Sequence, residues 1–170
     1  MKLQVSFDNG LLPDKYGKYA TASEIKNGEP IISFPIDFSD LPKEIKSIAL
    51  TLTDPDSIPV CGFEWIHWTV ANIPASMLSL PENFSQIATD PVVQGKNSSA
   101  SPLLSGKDDP STKVGYNGPT PPDKTHQYVL KAYALDSELD IKAGFWMNEL
   151  LHKITGHVLD SATLNVPSRA

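Results

Sequence analysis

Ile48, Leu50 and Leu52 alternate with Ser47, Ala49, Thr51 and Thr53, which is the period of two of a half-buried strand. Two further runs, Trp65 to Asn72 and Gln127 to Leu135, are richer in aromatic and β-branched residues and read as central strands. Met1 to Phe7 alternates polar and apolar residues and reads as a first strand. A shorter candidate, Ile31 to Phe34, sits between Pro30 and Pro35, and a last one runs from Val158 to Val166 through a weak middle at Asp160-Ser161-Ala162. Fifteen prolines punctuate the strand boundaries. One helix is expected: from Lys142 to Ile154 the apolar residues Phe145, Met147, Leu150, Leu151 and Ile154 recur at helical spacing, and Gly156 supplies a stop. A helical turn over Pro74 to Leu80 is a weaker reading. Residues 95–115, rich in Ser, Asp, Lys, Pro and Gly, read as a long surface loop. The expected architecture is therefore one mostly-β domain over residues 1–170, with a helix on its outside.

Composition narrows the class. The chain has 170 residues, 40% of them hydrophobic and 20% charged, which suits a folded globule long enough to bury a core. Its net charge is −6 and its basic residues are scattered, so nucleic acid and anionic membrane surfaces are poor partners. No run approaches the roughly 20 apolar residues of a membrane span, so no membrane insertion is expected. The alternating N-terminus lacks the unbroken apolar core of about 7–15 residues that a signal peptide needs. One cysteine, Cys61, cannot close an internal disulfide, fits a reducing compartment and is read as a buried, inert thiol. Together these point to the cytoplasm.

Candidate chemistry concentrates in two distant segments. The first holds Asp54-Pro55-Asp56-Ser57 and runs on to Phe63-Glu64-Trp65-Ile66-His67-Trp68; the second is Gly115-Tyr116-Asn117-Gly118-Pro119-Thr120-Pro121-Pro122, followed by Thr125-His126-Gln127-Tyr128. Asp54 and Asp56 are accounted for by turn chemistry, in which carboxylates bond nearby amides; the functional reading has one of them face a pocket and orient an imidazole. Strand alternation puts Trp65, His67 and Thr69 on one face, Glu64, Ile66 and Trp68 on the other, and His126 together with Tyr128. Either histidine could be a satisfied core residue. Two imidazoles, two carboxylates, a phenol and a glycine turn can also hold an anion, with backbone amides and ring N–H groups as donors. Zinc is disfavoured because no closely spaced histidine pair occurs, and calcium because Ile58 and Pro59 stand where an EF-hand loop needs its ligand and glycine. There is no nucleophile elbow, Walker loop or dinucleotide fingerprint, so neither an enzyme nor a cofactor is expected.

These motifs resemble the phosphatidylethanolamine-binding protein family, also called the Raf kinase inhibitor protein family, in its bacterial and archaeal branch. There an Asp-Pro-Asp turn and a Trp-x-His-Trp strand form one wall of a site, and a Gly-Pro-x-Pro-Pro segment followed by His-x-Tyr forms the other. This chain departs by an extra residue between Asp56 and Pro59, by Gln127 in place of the usual arginine, and by a long stretch from Gly95 to Val114. The resemblance implies a β-sandwich of a large antiparallel sheet and a smaller sheet, with a C-terminal helix. It implies a ligand site drawn from Asp54, Asp56, Glu64, His67, Asn117, Gly118, Pro119, His126 and Tyr128, and a cis Phe63-Glu64 peptide. The implied ligand is a small phosphate-bearing anion, such as a phospholipid head group or phosphopeptide, with kinase regulation as a consequence. Docking on a kinase or protease as an inhibitor is the alternative, and an uncharacterised hydrolase is the second. A homodimer is left open.

Overall fold

The run at 47–53 forms the middle strand of the molecule. The computed structural model describes residues 1–104 and 110–170. Its strands in chain order are β1 (Lys2–Gln4), β2 (Ile25–Lys26), β3 (Glu29–Pro30), β4 (Ile36–Ser39), β5 (Ser47–Asp54), β6 (Trp65–Pro74), β7 (Ser79–Leu80), β8 (Val93–Gln94), β9 (His126–Leu135) and β10 (Val158–Ser168). The helices are α1 (Ile58–Cys61), α2 (Phe84–Ile87) and α3 (Met147–Ile154). A five-stranded antiparallel sheet has the order β10-β9-β5-β6-β8, a three-stranded sheet the order β1-β4-β7, and β2 pairs with β3. The architecture is mostly β, as expected.

The main core lies between the two larger sheets. Ile36, Phe38 and Leu80 of the smaller sheet share one buried cluster with Ile48, Leu50, Leu52, Trp68, Val70 and Leu130 of the larger. On the other face, Leu150 and Ile154 of α3 pack with Phe145, Leu139 and Ile141 against Ala49, Ala71 and Leu135. Small side chains at 49 and 71 leave room for this layer. β5 is consequently buried at every position rather than half-buried, because it is covered on both faces.

Several boundaries differ from expectation for local reasons. β1 ends at Gln4, well short of Phe7. The pairing near Ile31 to Phe34 falls instead at Ile25–Lys26 with Glu29–Pro30, and again at Ile36–Ser39 beyond Pro35. α3 begins at Met147 rather than Lys142, since Gly144 adopts φ +79°, outside the right-handed helical region. Its end agrees: Thr155 caps it and Gly156 follows at φ +85°. Pro74 to Leu80 is no helical turn, because β6 runs through Pro74 and the chain then enters β7. β10 extends to Ser168; its register shifts between Val158 and Asp160, and the weak middle Asp160-Ser161-Ala162 then pairs regularly with β9. Residues 95–115 are not all surface: Asn97, Ser98 and Ser99 are buried, in and before a tight turn over Ser98–Ala100, and residues 105–109 of that stretch lie outside the described residues. Phe63-Glu64 is trans; among the described residues the cis peptide is Asp90-Pro91. Among the described residues, no helix is long and apolar enough to cross a membrane.

Candidate functional site

β5 lies between β9 and β6, antiparallel to both, so its C-terminal end meets their N-terminal ends. Asp54 pairs with Trp65, and Thr53 with Val129. The strand period then decides which side chains meet. Leu52 and Leu130 point into the main core, so Asp54, Tyr128 and His126, each an even number of residues away, point to the same side. One end of the large sheet thereby gathers residues that the chain holds far apart.

His67 reaches this group through a bulge. Leu52 pairs with Trp68 but Thr53 pairs with Ile66, so β6 carries an extra residue, His67, between them. Alternation had placed His67 and Trp68 on opposite faces. Instead both turn toward the main core: the His67 ring meets Tyr128 edge-on at 4.9 Å, and Trp68 meets Tyr116 at 5.5 Å. The Ile66 amide donates to Ser98 Oγ at 2.8 Å. Thus the buried turn of the 95–115 stretch supports the bulge.

The opposite wall is the segment 116–122, which is clamped on three sides. Asn117 N–H donates to the His67 carbonyl (2.9 Å), Gly118 N–H to the Pro30 carbonyl (2.9 Å), and the Tyr116 hydroxyl to the Tyr16 carbonyl (2.7 Å). Gly118 is required by contact, since a Cβ there would lie 2.5 Å from the Tyr16 oxygen and 2.7 Å from Pro30 Cβ. The Asn117 side chain donates to Ser99 Oγ (2.8 Å), which in turn donates to Glu29 Oε1 (2.6 Å). A third wall is the turn after β5, closed by Ser57 Oγ donating to the Asp54 carbonyl at 2.6 Å.

These walls enclose a recess of about 130 Å³. Asp54, His67, His126 and Tyr128 line it, together with Ser57, Val60, Cys61, Trp65 and Thr120 to Pro122. Drug-sized ligands occupy roughly 300–1,000 Å³, so this space suits a small group. The other expected residues stand elsewhere. Asp56 accepts from the Gln127 amide (2.8 Å) and ties the turn to β9. Asn117, Gly118 and Pro119 form the wall behind the lining. Glu64 lies on the far face of the sheet, in a separate depression with Thr53, Lys131 and Tyr133, because it shares the outward parity of its strand. Cys61 is exposed rather than buried, and its thiol donates to the Ser57 and Phe63 carbonyls. Among the described residues, no group of three or more His, Cys, Asp or Glu side chains is arranged to hold a metal.

The two histidines differ in state. His126 Nδ1 donates to Asp54 Oδ2 (2.7 Å) and Nε2 donates to Asp123 Oδ1 (2.9 Å). Burial opposes charge on this ring, but the bonds to Asp54 and Asp123 outweigh it and hold its pKa above the usual histidine value. Asp123 went unrecognised in the sequence; its signal was its place three residues before His126. His67 donates from Nδ1 to the Asn117 carbonyl (2.7 Å). Burial pushes its pKa down to about 4, against the opposing pull of that bond and of the Asp54 and Glu29 charges. The Tyr128 phenol is raised by burial and then by the Asp54 carboxylate, so it stays protonated.

A sequence model described as phosphatidylethanolamine-binding protein matches residues 3–169. The chain belongs to the phosphatidylethanolamine-binding protein family. YxkA of Bacillus subtilis is 50% identical over 161 residues, which is 95% of each chain. A protein of the archaeon Methanothermobacter thermautotrophicus is 34% identical, over 96% of this chain and 94% of its own. The crystal structure of a phosphatidylethanolamine-binding protein homologue from Chlamydia trachomatis, 32% identical, superposes with a TM-score of 0.76 over 99% of this chain and 97% of that one. Escherichia coli YbcL, 23% identical with a TM-score of 0.75, shares the fold. The bacterial and archaeal character of the sequence thus agrees with its relatives.

Proposed function

We propose that this family member binds a small phosphate-bearing anion in the recess at the end of the large sheet. One observation carries the reading: a histidine only 1% exposed is held between a buried carboxylate, Asp54, and a half-exposed one, Asp123, at the recess. Asp54 fixes and charges the ring from behind. Asp123 stands where an incoming oxyanion would take the second N–H, a charge-assisted bond of the strong kind. The Tyr128 phenol lies beside it in the same recess. Trp65 and Val60 line the recess as well and offer apolar surface to whatever the phosphate is attached to.

The phosphate is the shared chemistry of two sources, a phospholipid head group and a phosphorylated side chain. A regulator of kinase signalling would use the same recess for the second. Calorimetric titration with phenyl phosphate tests the recess itself, and parallel titrations with a short-chain phospholipid and a phosphoserine peptide separate the sources. Heat with phenyl phosphate that persists unchanged in His126→Ala would mean that the anion sits elsewhere.

A further inference from the structure

The two imidazoles offer a ligand opposite hydrogen-bonding roles. The Asn117 carbonyl can only accept, so the 2.7 Å contact places the proton of His67 on Nδ1. Its Nε2 therefore keeps a lone pair. Among the described residues that nitrogen has no hydrogen-bond partner, and the ring lines the recess at 4% exposure. His126, with a carboxylate on each nitrogen, is a donor on both sides. A ligand that displaces Asp123 thus meets one donor, His126 Nε2, and one acceptor, His67 Nε2.

We propose that the recess selects an oxyanion carrying a proton of its own: a terminal phosphate monoester in its singly protonated form, in preference to a sulfate ester or a phosphodiester. This rests on the anion reading above and narrows its two sources: a phosphorylated side chain is a monoester, whereas the head group of an intact phospholipid is a diester and is disfavoured. One phosphoryl oxygen accepts from His126 Nε2, and the P–OH donates to His67 Nε2. A sulfate ester or a diester has no such proton and would set lone pair against lone pair at His67, leaving a buried acceptor unpaired. The charged and titratable groups facing His67 are Asp54 from β5, Glu29 from β3, and His126 and Tyr128 from β9. The two carboxylates favour a second proton on its ring, but burial outweighs them, so the acceptor role holds across the pH range in which monoesters lose their second proton, near about 6.

The test is calorimetric titration of the wild type near pH 5.5 with phenyl phosphate, phenyl sulfate and methyl phenyl phosphate. The expected result is phenyl phosphate binding roughly tenfold or more tightly than either of the others. His67→Gln, whose amide can turn its NH2 toward a ligand that carries no proton and its oxygen toward one that does, is expected to bring the three affinities together. Equal affinities in the wild type, or unchanged discrimination in folded His67→Gln, would overturn the inference and leave the anion recess standing. No binding of any of the three would overturn the recess reading beneath it.

Discussion

Asp54 Oδ2 accepts a 2.7 Å hydrogen bond from His126 Nδ1 across 72 residues of chain, and both side chains are almost wholly buried. Neither strand could satisfy its polar end alone, and register brings the two together. Removing Asp54 takes the buried partner from the imidazolium and leaves it only the half-exposed Asp123. Asp54→Ala is therefore expected to lower stability by about 3–5 kcal/mol, read from the midpoint of urea unfolding. A loss under about 1 kcal/mol would mean that the imidazole is not charged.

Asp123 competes with the proposed ligand. Its ion pair is half exposed, and such pairs are worth up to about 1 kcal/mol. Asp123→Asn is expected to tighten phenyl phosphate binding roughly two- to fivefold at pH 6. Weaker binding in this variant would instead make Asp123 part of the ligand site.

Stability should respond to acid through His67. Its folded pKa, about 4, lies below the unfolded value of 6.5, so the folded state binds fewer protons between them. The contribution is fully present above pH 6.5 and is lost as pH falls through that window, amounting to roughly 3 kcal/mol. His126 acts in the opposite direction: its contribution is full below pH 6.5 and is lost as pH rises through its raised folded value. Urea midpoints from pH 7 to 4 should fall less steeply in His67→Gln than in the wild type.

Gly118 is held by contact. A methyl group there meets the Tyr16 oxygen at 2.5 Å and Pro30 Cβ at 2.7 Å, and both belong to segments that clamp the recess wall. Gly118→Ala should cost about 1–3 kcal/mol of stability, typical of overpacking, and weaken anion binding with it. Thermal unfolding followed by near-ultraviolet circular dichroism would register both the loss and any displacement of the neighbouring tyrosines.

Strand identity was legible where the period was clean. Residues 47–53, 65–72 and 127–135 became β5, β6 and β9, and their order in the sheet gathers Asp54, His67, His126 and Tyr128 at one end. What was hidden depended on single residues. The extra residue in β6 turns His67 and Trp68 to the same side, which no alternation rule foresees. Gly144 delays the start of α3 although the apolar spacing continues through it, and Phe145 reaches the core from outside the helix. Glu64 falls on the far face because of strand parity, and its neighbourhood with His67 in sequence is no guide to space. Asp123 could be read only with the His126 ring already in place.

The most direct measurement is calorimetric titration of phenyl phosphate against the wild type and His126→Ala, at pH 6 and again at pH 9. Because Asp54 and Asp123 hold the ring charged above the usual histidine pKa, wild-type affinity should be higher at pH 6 and fall as pH rises past the raised value. His126→Ala should bind more weakly by about 1.5–3 kcal/mol at pH 6 and lose most of the pH dependence. Equal affinity in the two proteins, or tighter wild-type binding at pH 9, would contradict an anion site built on His126.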